Sequence, residues 1–494
     1  MKNRTMMQFF EWDLPSNGNH WNKIKSEAKK LASNGITMCW LPPAYKGQAG
    51  MNDVGYGVYD LYDLGEFFQK GSIATKYGTK NEYLSMIKEL HEMGMEVIVD
   101  LVLNHRMGAD EIENINATNV YNDNRTYIKE EMKEIGAWTK FTFPGRKGKY
   151  SDFIWDHTCF SGIDYDDKEH RNGIYLFEGK KWDETVDNEN VNYDYLMGVN
   201  LDLNEDKVWL ELVKWGKWYY DLTQFDGLRL DAIKHMCTPF YRDYVYILRD
   251  YSQRELFTVG EYWSSDLDKL LNYLENTNHE FSLFDVPLHM KFYEISHSNG
   301  NYDLSTLFDH TLTKEDSWHS VTFVDNHDTQ PGQALCSFVE PWFKEIAYGI
   351  ILLQEKGIPC VFYGDYYGIE AKNYRVEPTR HLFELISLRN THAYGKEYDY
   401  YDDPSIIGFT REGNEKDHGL ALICSIKESG TKTMYVGYEH RNQIYKDILR
   451  NNRQEVTIDK EGYGTFYCEA GSISVYTPYR KLHTSYHHQL RKKR

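Results

Sequence analysis

Cysteine is scarce in this chain of 494 residues: there are seven, Cys39, Cys159, Cys237, Cys336, Cys360, Cys424 and Cys468, widely scattered and never in a Cys-x-x-Cys pair. An odd, dispersed set excludes a disulfide framework and a zinc ribbon and favours reduced thiols. Positive charge is also in deficit, 56 lysines and arginines against 75 aspartates and glutamates, for a net charge of −19. That balance repels phosphate backbones and anionic headgroups, so neither nucleic acid nor a membrane is an expected partner. No apolar run nears the ~18 residues of a membrane span; the longest candidate, around residues 347–353, is far too short. Residues 1–8 contain basic side chains but lack the apolar core, about 7–15 residues long, of a secretory signal. The expectation is a soluble, cytoplasmic and monomeric protein.

What the chain has in abundance is aromatic surface: 12 Trp, 40 Tyr and 23 Phe make up 15% of it. Tyrosine and tryptophan combine a flat apolar face with a polar handle and suit flat polar ligands, although a large core accounts for the same excess. At about 100–200 residues per domain, the length predicts two to four domains.

Short β-branched or aromatic runs alternate with segments of helical period, the pattern of parallel βα units. The runs lie at 6–10, 36–41, 96–103, 225–232, 256–263, 281–288, 320–324 and 358–363, eight in all, the number that closes a (β/α)8 TIM barrel. Between them, Val208, Leu212, Trp215, Tyr219 and Leu222 recur at helical spacing. About a hundred residues separate the third run from that helix; a structureless loop of such length is improbable, and the segment reads as an inserted subdomain. After a helical pattern at 381–389, short strands with turn signals indicate a separate all-β domain. The predicted organisation is a barrel (1–104 and 206–393), an insert after strand 3 (105–205), a C-terminal antiparallel β-sandwich (394–480) and a disordered tail (481–494). The tail's His487-His488 pair and basic end read as a solvated terminus rather than a metal or nucleic-acid site.

Side chains at the C-terminal ends of barrel strands face the active site. Arg229 and Asp231, two apart on the fourth run, share a face, and a guanidinium beside a carboxylate keeps it ionised, as a nucleophile must be. The fifth run ends in Gly260-Glu261-Tyr262-Trp263, and the seventh strand closes with Phe323-Val324-Asp325-Asn326-His327-Asp328. Neighbouring strands lie about 4.8 Å apart, which brings the tips Asp231 and Glu261 close to the ~5–5.5 Å separation of a retaining glycosidase. Negative charge at Asp328 would help hold a proton on Glu261. Taken singly, an Arg-x-Asp pair is a salt bridge and a histidine near a strand end is a hydrogen-bonding group. Three carboxylates, Arg229 and the histidines His105, His235 and His327 gathered at the tips of strands three, four, five and seven argue for a site.

Over nearly its whole length the sequence resembles the α-amylases of glycoside hydrolase family 13. The similarity is carried by segments 100–105, 227–235, 260–261 and 323–328, by Leu201-Asp202-Leu203-Asn204, and by segments 40–47, 55–67 and 192–197, which resemble the bacterial liquefying and cytoplasmic branch. It implies an endo-acting, retaining α-1,4-glucan hydrolase with Asp231 as nucleophile, Glu261 as general acid/base and Asp328 as transition-state stabiliser. It further implies that Tyr56 stacks on the sugar at the cleavage point, that His105, Arg229 and His327 hold that sugar, and that Lys234, His235 and Trp263 line the leaving-group side. One structural Ca²⁺ is implied between barrel and insert, on Asn104, Asp194, Asn200 and the carbonyl of His235. Position 200 is an aspartate in the liquefying enzymes, and the lost charge weakens the site. Ser161 and Asn204 also replace aspartates there, leaving Asp183 and Asp202, so no second metal cluster is expected. The alternatives are an α-1,6-acting or transglycosylating relative, disfavoured by the segments around Trp40 and Tyr56, and a non-catalytic glucan-binding protein, disfavoured because all three carboxylates are present.

Overall fold

The structure, a computed structural model, describes residues 3–415 and 418–479; the tail expected at 481–494 lies outside the described residues. Eight parallel strands close a barrel: β1 (Met6–Gln8), β2 (Met38–Trp40), β3 (Glu96–Leu101), β4 (Gly227–Leu230), β5 (Phe257–Gly260), β6 (Ser282–Phe284), β7 (Ser320–Phe323) and β8 (Ile358–Phe362), with β8 returning to pair with β1. Their near-continuous apolar character follows from burial on both faces, by the barrel interior and by the surrounding helices. The helices include α1 (His20–Asn34), α2 (Lys80–Glu92) and α3 (Asp206–Thr223). In α3, Val208, Leu212, Trp215 and Tyr219 form the buried stripe that their spacing predicts, and Thr79 starts α2 with a reciprocal capping box to Glu82.

Every barrel strand is shorter than the apolar run that announces it. The run 225–232, for instance, pairs only over Gly227–Leu230. The surplus residues continue the apolar pattern but leave the ladder at its C-terminal end. Asp231 and Glu261 stand on such departing tips, and His327 and Asp328 follow just beyond the seventh run.

The insert after β3 is a six-stranded antiparallel sheet in the spatial order His105–Arg106, Val199–Leu201, Phe160–Asp166, Arg171–Phe177, Glu111–Val120, Ile128–Lys140. Its first two members run directly out of and back toward the barrel, which ties the sheet to the C-terminal end of the barrel strands. The C-terminal domain pairs a six-stranded sheet with a two-stranded antiparallel sheet of Gly430–Tyr435 and Tyr463–Cys468, around a core of its own that includes Met434, Tyr445, Phe466 and Tyr476. It docks where Gly349 lets Ile473 approach; a Cβ at 349 would lie 2.2 Å from Ile473 Cδ1. Arg411 seals this contact by donating to the Leu353 carbonyl at 3.2 Å. Among the described residues, no helix is long and apolar enough to cross a membrane.

Candidate active site

The site is assembled around one side chain. Arg229 on β4 sits in register with Asp100 on β3, is fully buried, and donates from Nη1 to both oxygens of Asp100 at 3.0 and 3.2 Å. The same Nη1 reaches Asp231 Oδ1 at 2.6 Å, and Nη2 reaches Glu261 Oε2 at 3.0 Å. The planar fork of a guanidinium can serve several acceptors at once, which an ammonium cannot do with fixed geometry. Two further contacts fix the acceptors: Asp231 N–H donates to Leu101 O at 3.0 Å and Glu261 N–H to Leu230 O at 2.9 Å, each extending the ladder by one bond. Beyond Asp231 the chain turns through Ala232 at φ 49°, the left-handed region, and the Ala232 N–H lands on Glu261 Oε2 at 3.0 Å.

Burial sets the protonation states. Loss of water raises Glu261 to about 8; Arg229 opposes the rise, while the nearby Asp231 and Asp328 add to it. Desolvation likewise lifts Asp328 to about 7 and Asp100 to about 6, against the pull of Arg229. Asp100 is further held by Trp40 Nε1 at 3.0 Å and the Tyr56 hydroxyl at 2.9 Å, both donating to Oδ2. The histidines move the other way. Burial lowers His105 and drives His327 well below its ordinary range, so both are neutral near pH 7.

Neutral imidazoles have assignable tautomers here. The Gln8 side-chain amide donates to His327 Nδ1 at 3.0 Å, which puts the proton on Nε2, 3.4 Å from Asp328 Oδ2. His105 Nε2 donates to the Tyr56 carbonyl at 2.8 Å. Tyr56, His327 and Trp12 present near-parallel rings, with Tyr56 to His327 at 5.0 Å and 11° and Trp12 to Tyr56 at 5.9 Å and 7°. Lys234, His235 and Trp263 form a second group whose polar contacts run to the insert: Lys234 Nζ bonds Glu189 at 2.9 Å and the Trp263 carbonyl at 3.2 Å, and His235 Nδ1 bonds the Tyr193 carbonyl at 2.8 Å.

Asp194 and Asn200 lie together within the insert, Asn200 on its strand Val199–Leu201. Asn200 Oδ1 is buried with no hydrogen-bond partner, its Nδ2 donating to Ser161 Oγ at 2.9 Å, and burial raises the Asp194 carboxyl to about 7. An orphaned carbonyl oxygen beside a carboxylate is a hard oxygen donor set that suits Ca²⁺. Close by, Lys180 Nζ occupies Asp202 at 2.8 Å and Glu205 at 2.5 Å, so an ammonium already neutralises the carboxylate that a second metal cluster would need.

Three residues in this geometry went unassigned in the sequence reading. Asp100 could have been found from the parallel register of β3 and β4, which sets it opposite Arg229. Trp12 and Gln8 had no such signal; one follows β1 in a loop and the other looks like a strand residue.

Comparison with known proteins is consistent with this arrangement. The profile of the family described as "Alpha amylase, catalytic domain" matches residues 16–391. The chain is 49% identical over 480 residues to an α-amylase of Geobacillus stearothermophilus, covering 96% of this chain and 87% of that protein. It is 43% identical over 489 residues to the cytoplasmic α-amylase of Escherichia coli K12, covering 96% and 99%. Among solved structures, the Geobacillus thermoleovorans α-amylase complexed with acarbose superposes with a TM-score of 0.63 at 18% identity, covering 97% and 98% of the two chains.

If Arg229 is the counter-charge for this cluster, Arg229→Ala leaves buried carboxylates unpaired and should cost about 3–5 kcal/mol of stability. The sign with pH is diagnostic: without the guanidinium the carboxyl pKa values rise further, so the deficit should be largest at pH 8 and shrink as pH falls and the carboxyls take up protons. Denaturant midpoints measured across that range check this. A deficit independent of pH would point to lost packing alone.

Proposed function

The chain belongs to the α-amylase family of glycoside hydrolases, and from that premise we propose that it cleaves internal α-1,4-glucosidic bonds of starch, glycogen or maltodextrins with retention of anomeric configuration. The observation that carries the residue assignment is the guanidinium of Arg229 shared between Asp231 and Glu261. Both carboxyls bond one guanidinium, which supports the close pairing that a double displacement uses.

In this reading the roles follow from the environments. Asp231, bonded to Arg229 at 2.6 Å, attacks the anomeric carbon. Glu261, protonated because it is buried and faces other carboxylates, delivers its proton to the glycosidic oxygen. The departing chain leaves with that proton; Glu261, now a carboxylate, takes a proton from water as water attacks the glycosyl-Asp231 ester. Asp328 stabilises the oxocarbenium-like charge between them. The neutral His327 and His105 and the Tyr56 ring hold the sugar, and Trp12 extends that aromatic floor. Lys234, His235 and Trp263 receive the leaving-group side. Arg229 acts by positioning and charge.

One calcium ion between barrel and insert fits the residues present, held by Asn104, Asp194, Asn200 and the carbonyl of His235. It would supply positive charge for the buried Asp194 and a partner for Asn200 Oδ1, joining the insert to the catalytic face. The glucan substrate and a cytoplasmic location complete the proposal. The seven cysteines are all unpaired in the structure, as a reducing compartment requires.

Asp231→Asn should lower kcat on amylose by at least about 10,000-fold, the scale of losing a nucleophile, while glucan binding persists; near-normal turnover would remove Asp231 from the role. Glu261 must carry its proton in the free enzyme, so kcat/KM should fall as pH rises through about 8. A descending limb already complete below pH 6 would contradict the assignment. Asn200→Asp restores a ligand charge and should tighten calcium binding by about tenfold, the scale on which ligand charge tunes such sites, read as a higher chelator concentration needed to lower the melting temperature. Equal chelator sensitivity in the two proteins would show that residue 200 is not a ligand.

A further inference from the structure

A second constellation lies at the opposite pole of the barrel, where chain segments enter β6 and β7. His279 precedes β6, and Asp316 and His319 precede β7; one candidate ligand atom from each of the three lies within 4.8 Å of the others. The frame that holds them is fixed by main-chain bonds: Leu283 N–H on β6 donates to the His319 carbonyl at 2.8 Å, and His279 N–H donates to Leu274 O at 2.8 Å while its own φ is held at 53°. The two entry segments are therefore laced together before any side chain is considered.

The side chains pose a charge problem. Asp316 Oδ2 is 2.7 Å from His319 Nδ1 and 3.5 Å from His279 Nδ1, so two ring nitrogens converge on one carboxylate oxygen. The other nitrogen of His279, Nε2, faces Glu275 Oε2 at 3.3 Å. A neutral imidazole has one proton, so His279 can serve only one of the two carboxylates unless a second proton or a bound cation serves the other. With the Nε2 proton on Glu275, the Nδ1 lone pair points at Asp316. A cation between Nδ1 of His279, Nδ1 of His319 and Asp316 Oδ2 resolves the conflict, and Glu275 then serves as the outer carboxylate that fixes the ligand tautomer, as in many histidine–metal sites.

We propose that His279, Asp316 and His319 form a binding site for a divalent transition-metal ion of the zinc type, clamping the entries of β6 and β7. Two imidazoles and a carboxylate match Zn²⁺, Co²⁺ or Ni²⁺ rather than Ca²⁺, whose ligands are oxygens. A tetrahedral ion with bonds near 2.1 Å needs ligand atoms about 3.4 Å apart; Asp316 Oδ2 and His279 Nδ1 already stand at 3.5 Å, and Asp316 Oδ2 and His319 Nδ1, now hydrogen-bonded at 2.7 Å, would open to admit the ion. His279 and His319 retain 41% and 28% of their side-chain exposure, which permits that opening and leaves room for water as a fourth ligand. Both histidines also border an open cleft of about 320 Å³, through which an ion can enter. The proposed ion is structural and stands apart from Asp231, Glu261 and Asp328, which project from the other end of the barrel.

The test is calorimetric titration of Zn²⁺ into the full-length protein, with calcium present throughout, for the natural sequence and for His279→Gln/His319→Gln. The histidines of the C-terminal tail, His483, His487 and His488, are common to both proteins, so the difference isolates this site. The natural protein should bind one more equivalent than the variant, and its melting temperature should rise with Zn²⁺ while that of the variant does not. Substituting Co²⁺ should give visible bands of a four-coordinate nitrogen and oxygen site, lost in the variant. The variant's calcium-loaded hydrolytic activity should be unchanged, showing that it is folded. Equal zinc stoichiometry and equal melting shifts in the two proteins would overturn the proposal. If the double variant fails to fold, His279→Gln alone is titrated; that substitution touches the exposed histidine only and should weaken the extra site at least about tenfold, as loss of a ligand does.

Discussion

The catalytic face depends on one guanidinium serving three buried carboxyls. If Asp100, Asp231 and Glu261 were all ionised against Arg229 alone, the cluster would carry two net negative charges where little water remains to screen them. The excess is relieved by protons. Of the carboxyls that burial raises, Glu261 keeps its proton to the highest pH. The electrostatic frustration that burial creates is thus what holds a proton on one member, while Asp231 takes the shortest bond to the guanidinium.

The barrel makes that arrangement affordable in structural terms. Parallel register places Arg229 opposite Asp100, and single ladder-like bonds beyond β4 and β5 hold Asp231 and Glu261 at the tips. Neutral histidines complete the floor, because charged ones would compete with Arg229 for the carboxylates and would themselves be costly to bury. The insert contributes from above: its first strand begins at His105, and its later segments meet Lys234 and His235. Calcium in the proposed site would join those two layers, and Lys180 pairs with Asp202 in the same segment.

Much of this was legible in the residues. Eight apolar runs were visible because strands buried on both faces cannot alternate, and α3 because its stripe repeats at helical spacing. The ends of the strands were not, since residues such as Val324 and Tyr262 continue the apolar pattern after the ladder stops. The carboxylates proposed as catalytic stood out through their position at the strand ends together with the family resemblance. Asp100 was hidden inside a run as an apparently structural residue, and Trp12 sits in a loop that carries no period. The pair of histidines at the far pole was invisible for a different reason: His279 and His319 are distant in sequence and meet only because β6 and β7 are neighbours. The aromatic excess proved mostly a matter of packing, with Trp21, Trp40, Trp215 and many tyrosines fully buried.

The central claim is that Asp231 and Glu261, set side by side by Arg229, operate by double displacement. The most direct measurement is the anomeric configuration of the first products released from a maltooligosaccharide, followed by proton NMR before mutarotation. The account predicts α-configured reducing ends at the earliest times, relaxing later toward the equilibrium mixture. Initial formation of β-configured ends would mean a single displacement by water, and the pairing of the two carboxyls would then need another explanation.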